Sequence, residues 1–198
     1  AAAAKTRGVS NERPLTILVV GGSQGAQGLN RAVTEAIAAL SDEERSKIAV
    51  THITGKRDEA WVAEQYGKLV LSFKVHAFSS VMEELLSQAD LAITRAGANT
   101  LFELAAFGVP ALVIPYPHAG GHQAYNAKSF AEKGGLVFHA EDAAAKDWLV
   151  AELHGFIGDP GALTGLAKAM KGLAKPEATD ELTQIARKMI KTHEDRTR

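Results

Sequence analysis

Apolar residues along the chain follow two alternating rhythms. Short, nearly continuous apolar runs occupy 15–20 (LTILVV), 48–53, 69–75, 91–94, 111–114 and 136–139. Runs of this length, bounded by Gly, Pro or polar turns, predict strands of a parallel sheet, apolar on both faces. Between them, apolar positions recur every three or four residues. The segment 27–40 carries Leu29, Ala32, Val33, Ala36, Ile37 and Leu40 at that spacing, which predicts a helix. The same reasoning predicts helices at 57–66, 81–88, 99–107 and 123–133, with Gly67, Gly108 and Gly134-Gly135 as stops. After the sixth strand the pattern is helical only, over 142–156, 160–173 and 180–191, with Pro176 interrupting. Strict alternation of strand and helix predicts an α/β fold, a Rossmann-like doubly wound parallel six-stranded sheet with a helical C-terminal tail. One domain is expected over 15–174. Residues 1–14 are expected to be a flexible lead-in, and 175–198 an amphipathic helix with Leu182, Ile185, Ala186, Met189 and Ile190 on one face.

Composition narrows the function classes. The chain has 198 residues, 46% hydrophobic and 23% charged, with a formal net charge of -1. That balance provides no bulk electrostatic argument for a nucleic-acid or membrane-surface partner. The absence of cysteine excludes disulfides and thiolate metal sites. No apolar run approaches the roughly 18 residues needed to span a bilayer, and the N-terminal residues lack the apolar core of a signal peptide.

The candidate chemistry lies in the turns that follow strands. In an open parallel sheet, ligands bind beyond the C-terminal strand ends where strand order reverses. With the order 3-2-1-4-5-6, the turns after strands one, three, four and five converge there. The first is GGSQGA, with Gly22, Ser23 and Gln24: small residues and backbone amides at a helix start, a seat for phosphate or simply a tight turn. It lacks the G-x-G-x-x-G dinucleotide spacing and the Walker pattern. The fourth strand leads into RAGANT, with Arg95, Gly97, Ala98 and Thr100, the last of which is also a candidate helix cap. Glu103 follows about one turn later, either a carboxylate for a ribose diol or part of a solvated helix face. The loop PYPHAGGHQAYN delivers His118, His122, Gln123 and Asn126 near another helix start. Amide side chains there suit sugar hydroxyls, being donors and acceptors at once. His118 and His122 form no complete metal set, since no carboxylate or cysteine stands near them in the sequence.

Taken together, GGSQGA, AFSSVM, RAGANTLFELAAFGVPALVIPYP and HQAYNA resemble the C-terminal half of the MurG family, the bacterial peptidoglycan N-acetylglucosaminyltransferases. The resemblance is clear over 15–136 and weaker through the helical tail. It implies one half of a two-domain (GT-B) glycosyltransferase and a UDP-N-acetylglucosamine site. Ser23 and the GGSQGA amides would meet the diphosphate, and the turn at Ser79 would read uracil through backbone groups, with Met82 packed nearby. Ala98 and Thr100 would lie against donor sugar and phosphates, Glu103 would take the ribose hydroxyls, and His122, Gln123 and Asn126 would bind the sugar. The implied reaction is inverting transfer to the C4 hydroxyl of the muramoyl sugar of lipid I, at the cytoplasmic face of the inner membrane. No D-x-D motif is present, so no metal cofactor is expected. The family's N-terminal acceptor domain, with its GGTGGH-type loop and presumed catalytic base, and its GNPVR-like linker are not found in these residues. The chain alone is therefore expected to bind donor without turnover, and this half is expected to make no direct membrane contact. Two alternatives are a non-catalytic UDP-sugar-binding module and half of a UDP-N-acetylglucosamine epimerase. The AFSSVM and HQAYNA pair favours the transferase over the epimerase.

Overall fold

A computed structural model describes residues 13–22, 25–118 and 120–196. Six strands, β1 (Leu15–Val20), β2 (Ile48–Ile53), β3 (Ser72–His76), β4 (Leu91–Thr94), β5 (Ala111–Val113) and β6 (Leu136–Phe138), form one sheet in the order β3-β2-β1-β4-β5-β6. Every pairing is parallel. The order reverses between β1 and β4, the condition under which the polar turns converge.

Alternation of side chains along β1 and β4 builds two cores. Ile17, Val19, Leu91 and Ile93 face the layer of α1 (Gln27–Ala39), α3 (Glu59–Gly67) and α7 (Ala145–Gly158). Leu18, Val20 and Ala92 face α4 (Met82–Gln88), α5 (Ala98–Phe107), α6 (His122–Ala131) and α8 (Leu163–Gly172). Each fully buried Leu, Ile or Val contributes about 1.5–3 kcal/mol from removal of apolar surface. At the strands' N-terminal ends, Asp90 accepts two hydrogen bonds from Arg13, both 2.6 Å, and one of 2.8 Å from the Thr16 amide, tying the start of β1 to β4.

The structure departs from the sequence expectations in specific places. The third strand starts at Ser72, not at residue 69, because pairing with β2 begins at Ala49–Ser72. It is an edge strand with alternating exposure, so it is not apolar on both faces. A short helix, α2 (Asp42–Ser46), has no apolar period to reveal it. It is started by a capping box: the Ser41 hydroxyl accepts from the Glu44 amide, and the Glu44 carboxylate accepts from the Ser41 amide. Glu44 is held down at about 2 by these Ser41 bonds and by His154. The expected helix at 57–66 begins at Glu59, and that at 142–156 begins at Ala145. The segment from Pro160 opens as a 3-10 turn before α8. Gly108 does stop α5, with φ 71°. The last helix, α9 (Ala178–Arg196), is longer than expected, and Leu182, Ile185, Met189 and Ile190 along it are exposed.

One buried polar network crosses the first core. Asn30 on α1 donates through Nδ2 to the Thr54 carbonyl (2.9 Å) and to Asp58 Oδ2 (2.8 Å). Its Oδ1 is therefore the atom facing His52 Nε2 at 3.1 Å, which makes that nitrogen the N–H. His52 Nδ1 then accepts from the Tyr66 hydroxyl at 3.0 Å. Burial pushes His52 down from 6.5 to about 3 and Tyr66 upward. His52 is neutral in the folded chain across the physiological range, whereas in the unfolded chain it takes a proton below 6.5. The unfolded state then binds more protons, so stability falls with falling pH between those limits, by about 1.4 kcal/mol per unit from this group. Urea unfolding at steps from pH 7.5 to 5 should show that His52→Asn lacks this part of the slope. An unchanged slope in the variant would refute the assignment.

Candidate functional site

The site is built by the turns at the C-terminal edge of the sheet. After β1 the chain turns through Gly22 (φ 101°) and Gly25 (φ 76°) into α1. A Cβ on Gly25 would stand 2.3 Å from the Thr54 carbonyl oxygen, so only glycine lets this turn rest on the end of β2. Among the described residues no side chain caps α1, and its first intrahelical bond is Asn30 N to Ala26 O. The amides of Gln27, Gly28 and Leu29 therefore lie outside the helical ladder. Ser23 and Gln24 lie outside the described residues.

After β4 come Arg95, Ala96 and Gly97. Gly97, not Thr100, is the N-cap of α5, and no side-chain cap is made. Thr100 is the third helical residue, so the alternative reading of it as a helix cap does not hold. The amides of Ala98, Asn99 and Thr100 precede the first ladder bond, Leu101 N to Gly97 O. Glu103, one turn on, is exposed, with no hydrogen-bond partner among the described residues.

The loop after β5 enters α6 through Gly121 (φ 80°). The two amide side chains predicted for sugar hydroxyls both engage Ala96. Gln123 Oε1 accepts from the Ala96 amide (3.1 Å) and the Tyr116 amide (2.9 Å), and Asn126 Nδ2 donates to the Ala96 carbonyl (3.1 Å). The start of α6 thereby clamps the β4 turn. What remains of each side chain toward solvent is Gln123 Nε2 and Asn126 Oδ1, a donor and an acceptor. His122 is exposed at the helix start. After β3, the Ser79 hydroxyl accepts from the Val81 amide at 3.2 Å, and Met82 packs on the second core.

Between the turns after β1, β4 and β5 lies a crevice of about 470 Å³, lined among others by Gly21, Gly25, Gln27, Gly28, Arg95 and Gln123; Ser79, Met82, Thr100, Glu103, His122 and Asn126 stand outside its lining. A cavity of similar size, about 460 Å³, sits at the opposite edge beside Arg13 and Lys47, away from every glycine turn named above. The crevice also holds residues that the turn motifs did not single out: Arg57, Tyr116 and Glu141. Glu141 Oε1 accepts from Arg95 Nη2 at 2.7 Å, and a Cβ on Gly28 would stand 1.8 Å from that same oxygen. Gly28 thus makes room for a carboxylate over the first turn of α1, where the partial positive charge favours it. Arg95 is buried. Its Nη1 donates to the Ile114 carbonyl (3.0 Å), and its guanidinium lies 5.5 Å from the centre of the Tyr116 ring. The signal for Glu141 and Arg57 was positional: both follow strands whose ends open on this edge. Among the described residues no cluster of three His, Cys, Asp or Glu side chains is arranged for a metal ion, and no helix is long and apolar enough to cross a membrane.

Residues 16–182 match the model of the glycosyltransferase family 28 C-terminal domain. The chain is 40% identical over 177 residues to the UDP-N-acetylglucosamine--N-acetylmuramyl-(pentapeptide) pyrophosphoryl-undecaprenol N-acetylglucosamine transferase of Coxiella burnetii strain Dugway, covering 88% of this chain and 49% of the relative. It is 35% identical over 195 residues to the protein of that name from Desulfotalea psychrophila, covering 98% and 52%. The chain thus spans about half the length of these relatives. A crystal structure of Acinetobacter baumannii MurG superposes with a TM-score of 0.81 at 31% identity, over 90% of this chain and 51% of that one. The structure of S. aureus MnaA with UDP shares the fold alone, at 13% identity and a TM-score of 0.67. With its sheet order, its glycine turns and this match over most of its length, the chain belongs to glycosyltransferase family 28, whose C-terminal domain it carries.

Proposed function

We propose that the chain is the donor-binding half of an inverting N-acetylglucosaminyltransferase that uses UDP-N-acetylglucosamine. The acceptor would be the C4 hydroxyl of the muramoyl sugar in lipid I, giving lipid II. The observation that carries this reading is the meeting of open helix N-termini at the strand-order reversal, in a chain of this family. The relatives' names supply the sugar and the lipid-linked acceptor.

The chemistry asks little of side chains in this half. As the glycosidic bond breaks, negative charge grows on the departing diphosphate. Amides fixed at the starts of α1 and α5 are already aimed and need no reorganisation, so they stabilise that charge as it forms. Uracil would sit against the turn at Ser79, the ribose diol on Glu103, and the sugar against His122, Gln123 and Asn126. Since Gln123 and Asn126 each have one group committed to Ala96, each offers the sugar its other group. Their geometry is thereby fixed before the donor arrives. The base that activates the acceptor hydroxyl would come from the half of the relatives' length that these residues do not span. A lipid-linked acceptor would put the working enzyme at the cytoplasmic face of the inner membrane.

Calorimetric titration should show binding of UDP-N-acetylglucosamine and UDP, and weaker binding of TDP-sugars. Absence of heat with every UDP compound would end this reading. Glu103→Ala should weaken UDP about tenfold, the scale of hydrogen bonds to a charged group, and TDP far less, because TDP lacks one ribose hydroxyl. Equal losses would remove Glu103 from the ribose. These 198 residues as a separate polypeptide should give no lipid II from lipid I and donor, and measurable product would show that the base lies within them.

A further inference from the structure

We propose that Arg57 is the cation that meets the donor's diphosphate, because the other arginine in the crevice, Arg95, is already spent on Glu141. The inference rests on the nucleotide-sugar reading of this crevice and assigns a residue to it. Two arginines line the crevice. The Arg95 side chain is 8% exposed and that of its partner Glu141 24%. The Arg95 Nη groups are taken by Glu141 and by the Ile114 carbonyl, and its Nε is buried with no hydrogen-bond partner among the described residues. To reach a phosphate, Arg95 would have to leave a half-buried carboxylate without its counter-charge, which is costly. Its charge is therefore neutralised locally, and it serves the loop that it braces.

Arg57 is the reverse case. It stands in the turn between β2 and α3, and its side chain is 71% exposed. One side of the guanidinium is tethered: Nε faces Asp58 Oδ1 at 3.3 Å. Asp58 is itself buried, with its other oxygen held by Asn30 at 2.8 Å. The tether hangs from the core network that includes His52. It leaves both Nη groups without a hydrogen-bond partner among the described residues, in the same crevice as the Gly21, Gly25 and Gln27 backbone. A planar pair of N–H donors on a restrained stem matches two phosphate oxygens, and backbone amides at the start of α1 complement them. The neighbouring Lys56 does not line the crevice.

The test is calorimetric titration of the whole chain and of Arg57→Ala and Arg57→Lys with UDP, UMP and uridine, at low and moderate salt. Arg57→Ala should weaken UDP about tenfold, UMP less, and uridine by no more than about twofold. Arg57→Lys should recover part of the loss, since charge remains but the fork does not. UDP binding should weaken with salt more in the wild type than in Arg57→Ala, because one exposed charge has been removed. Arg57→Ala also takes the counter-charge from the buried Asp58 and should melt below the wild type, so the loss is read as the ratio of UDP to uridine affinity within each variant, which a general loosening of the fold would not change. UDP binding by Arg57→Ala equal to wild type, or equal losses for UDP and uridine, would overturn the proposal. A wild-type chain that binds uridine compounds while the variant matches it refutes Arg57 alone. A wild-type chain that binds none of them refutes the site reading beneath it.

Discussion

Asn30 is the joint on which the crevice depends. Its amide has two donors, used on the Thr54 carbonyl and on Asp58, and one acceptor, used on His52. Those bonds join the first turn of α1, the end of β2 and the residue before α3 in one buried cluster. A buried polar network of this kind is stabilising only when each member is satisfied, and the Nε2–H tautomer of His52 satisfies this one. Gly25 adds a steric lock, resting its backbone on Thr54 where no side chain fits. The first turn of α1 is thus held from below by hydrogen bonds, and Gly25 before it from the side by contact. A rigid cradle of amides can stabilise charge without being reorganised, which a mobile loop cannot do.

A second joint holds the other wall. Gln123 and Asn126 together satisfy both backbone groups of Ala96, and Arg95 next to it is drawn into the protein by Glu141 and the Ile114 carbonyl. The turn after β4 is therefore shaped by α6 and by the loop after β6. The same side chains that tie this turn are those expected at the sugar. The two roles are compatible because a carboxamide has separate donor and acceptor ends.

Much of the architecture was legible along the chain. The central runs LTILVV and LAIT are apolar on both faces because helices cover both, so a continuous run reported a central parallel strand. The reading weakened at the edges. Ser72, Lys74 and His76 alternate outward because only one face of β3, that of Phe73 and Val75, is packed on a core, and α2 is too short and polar for any period. The glycine turns could be found because positive φ and close approach demand a specific residue. Arg95 could be named as a candidate from its place after β4, but whether it faces a ligand or the interior could not.

The order and type of the elements, and the edge on which the polar turns open, followed from the sequence by itself. Burial periodicity is a local property, and the handedness of parallel crossovers leaves few sheet orders. The tertiary structure decided the employment of the polar groups. Arg95 and Glu141 are 46 residues apart, and Asn30 and His52 are 22 apart. Whether a histidine can take a proton depends on how deeply the fold buries it, and whether an arginine keeps an open fork or is a neutralised brace depends on which group stands within about 3 Å of it. That neighbour is supplied by chain-distant segments brought together by sheet pairing and helix packing, and no spacing along the chain encodes it.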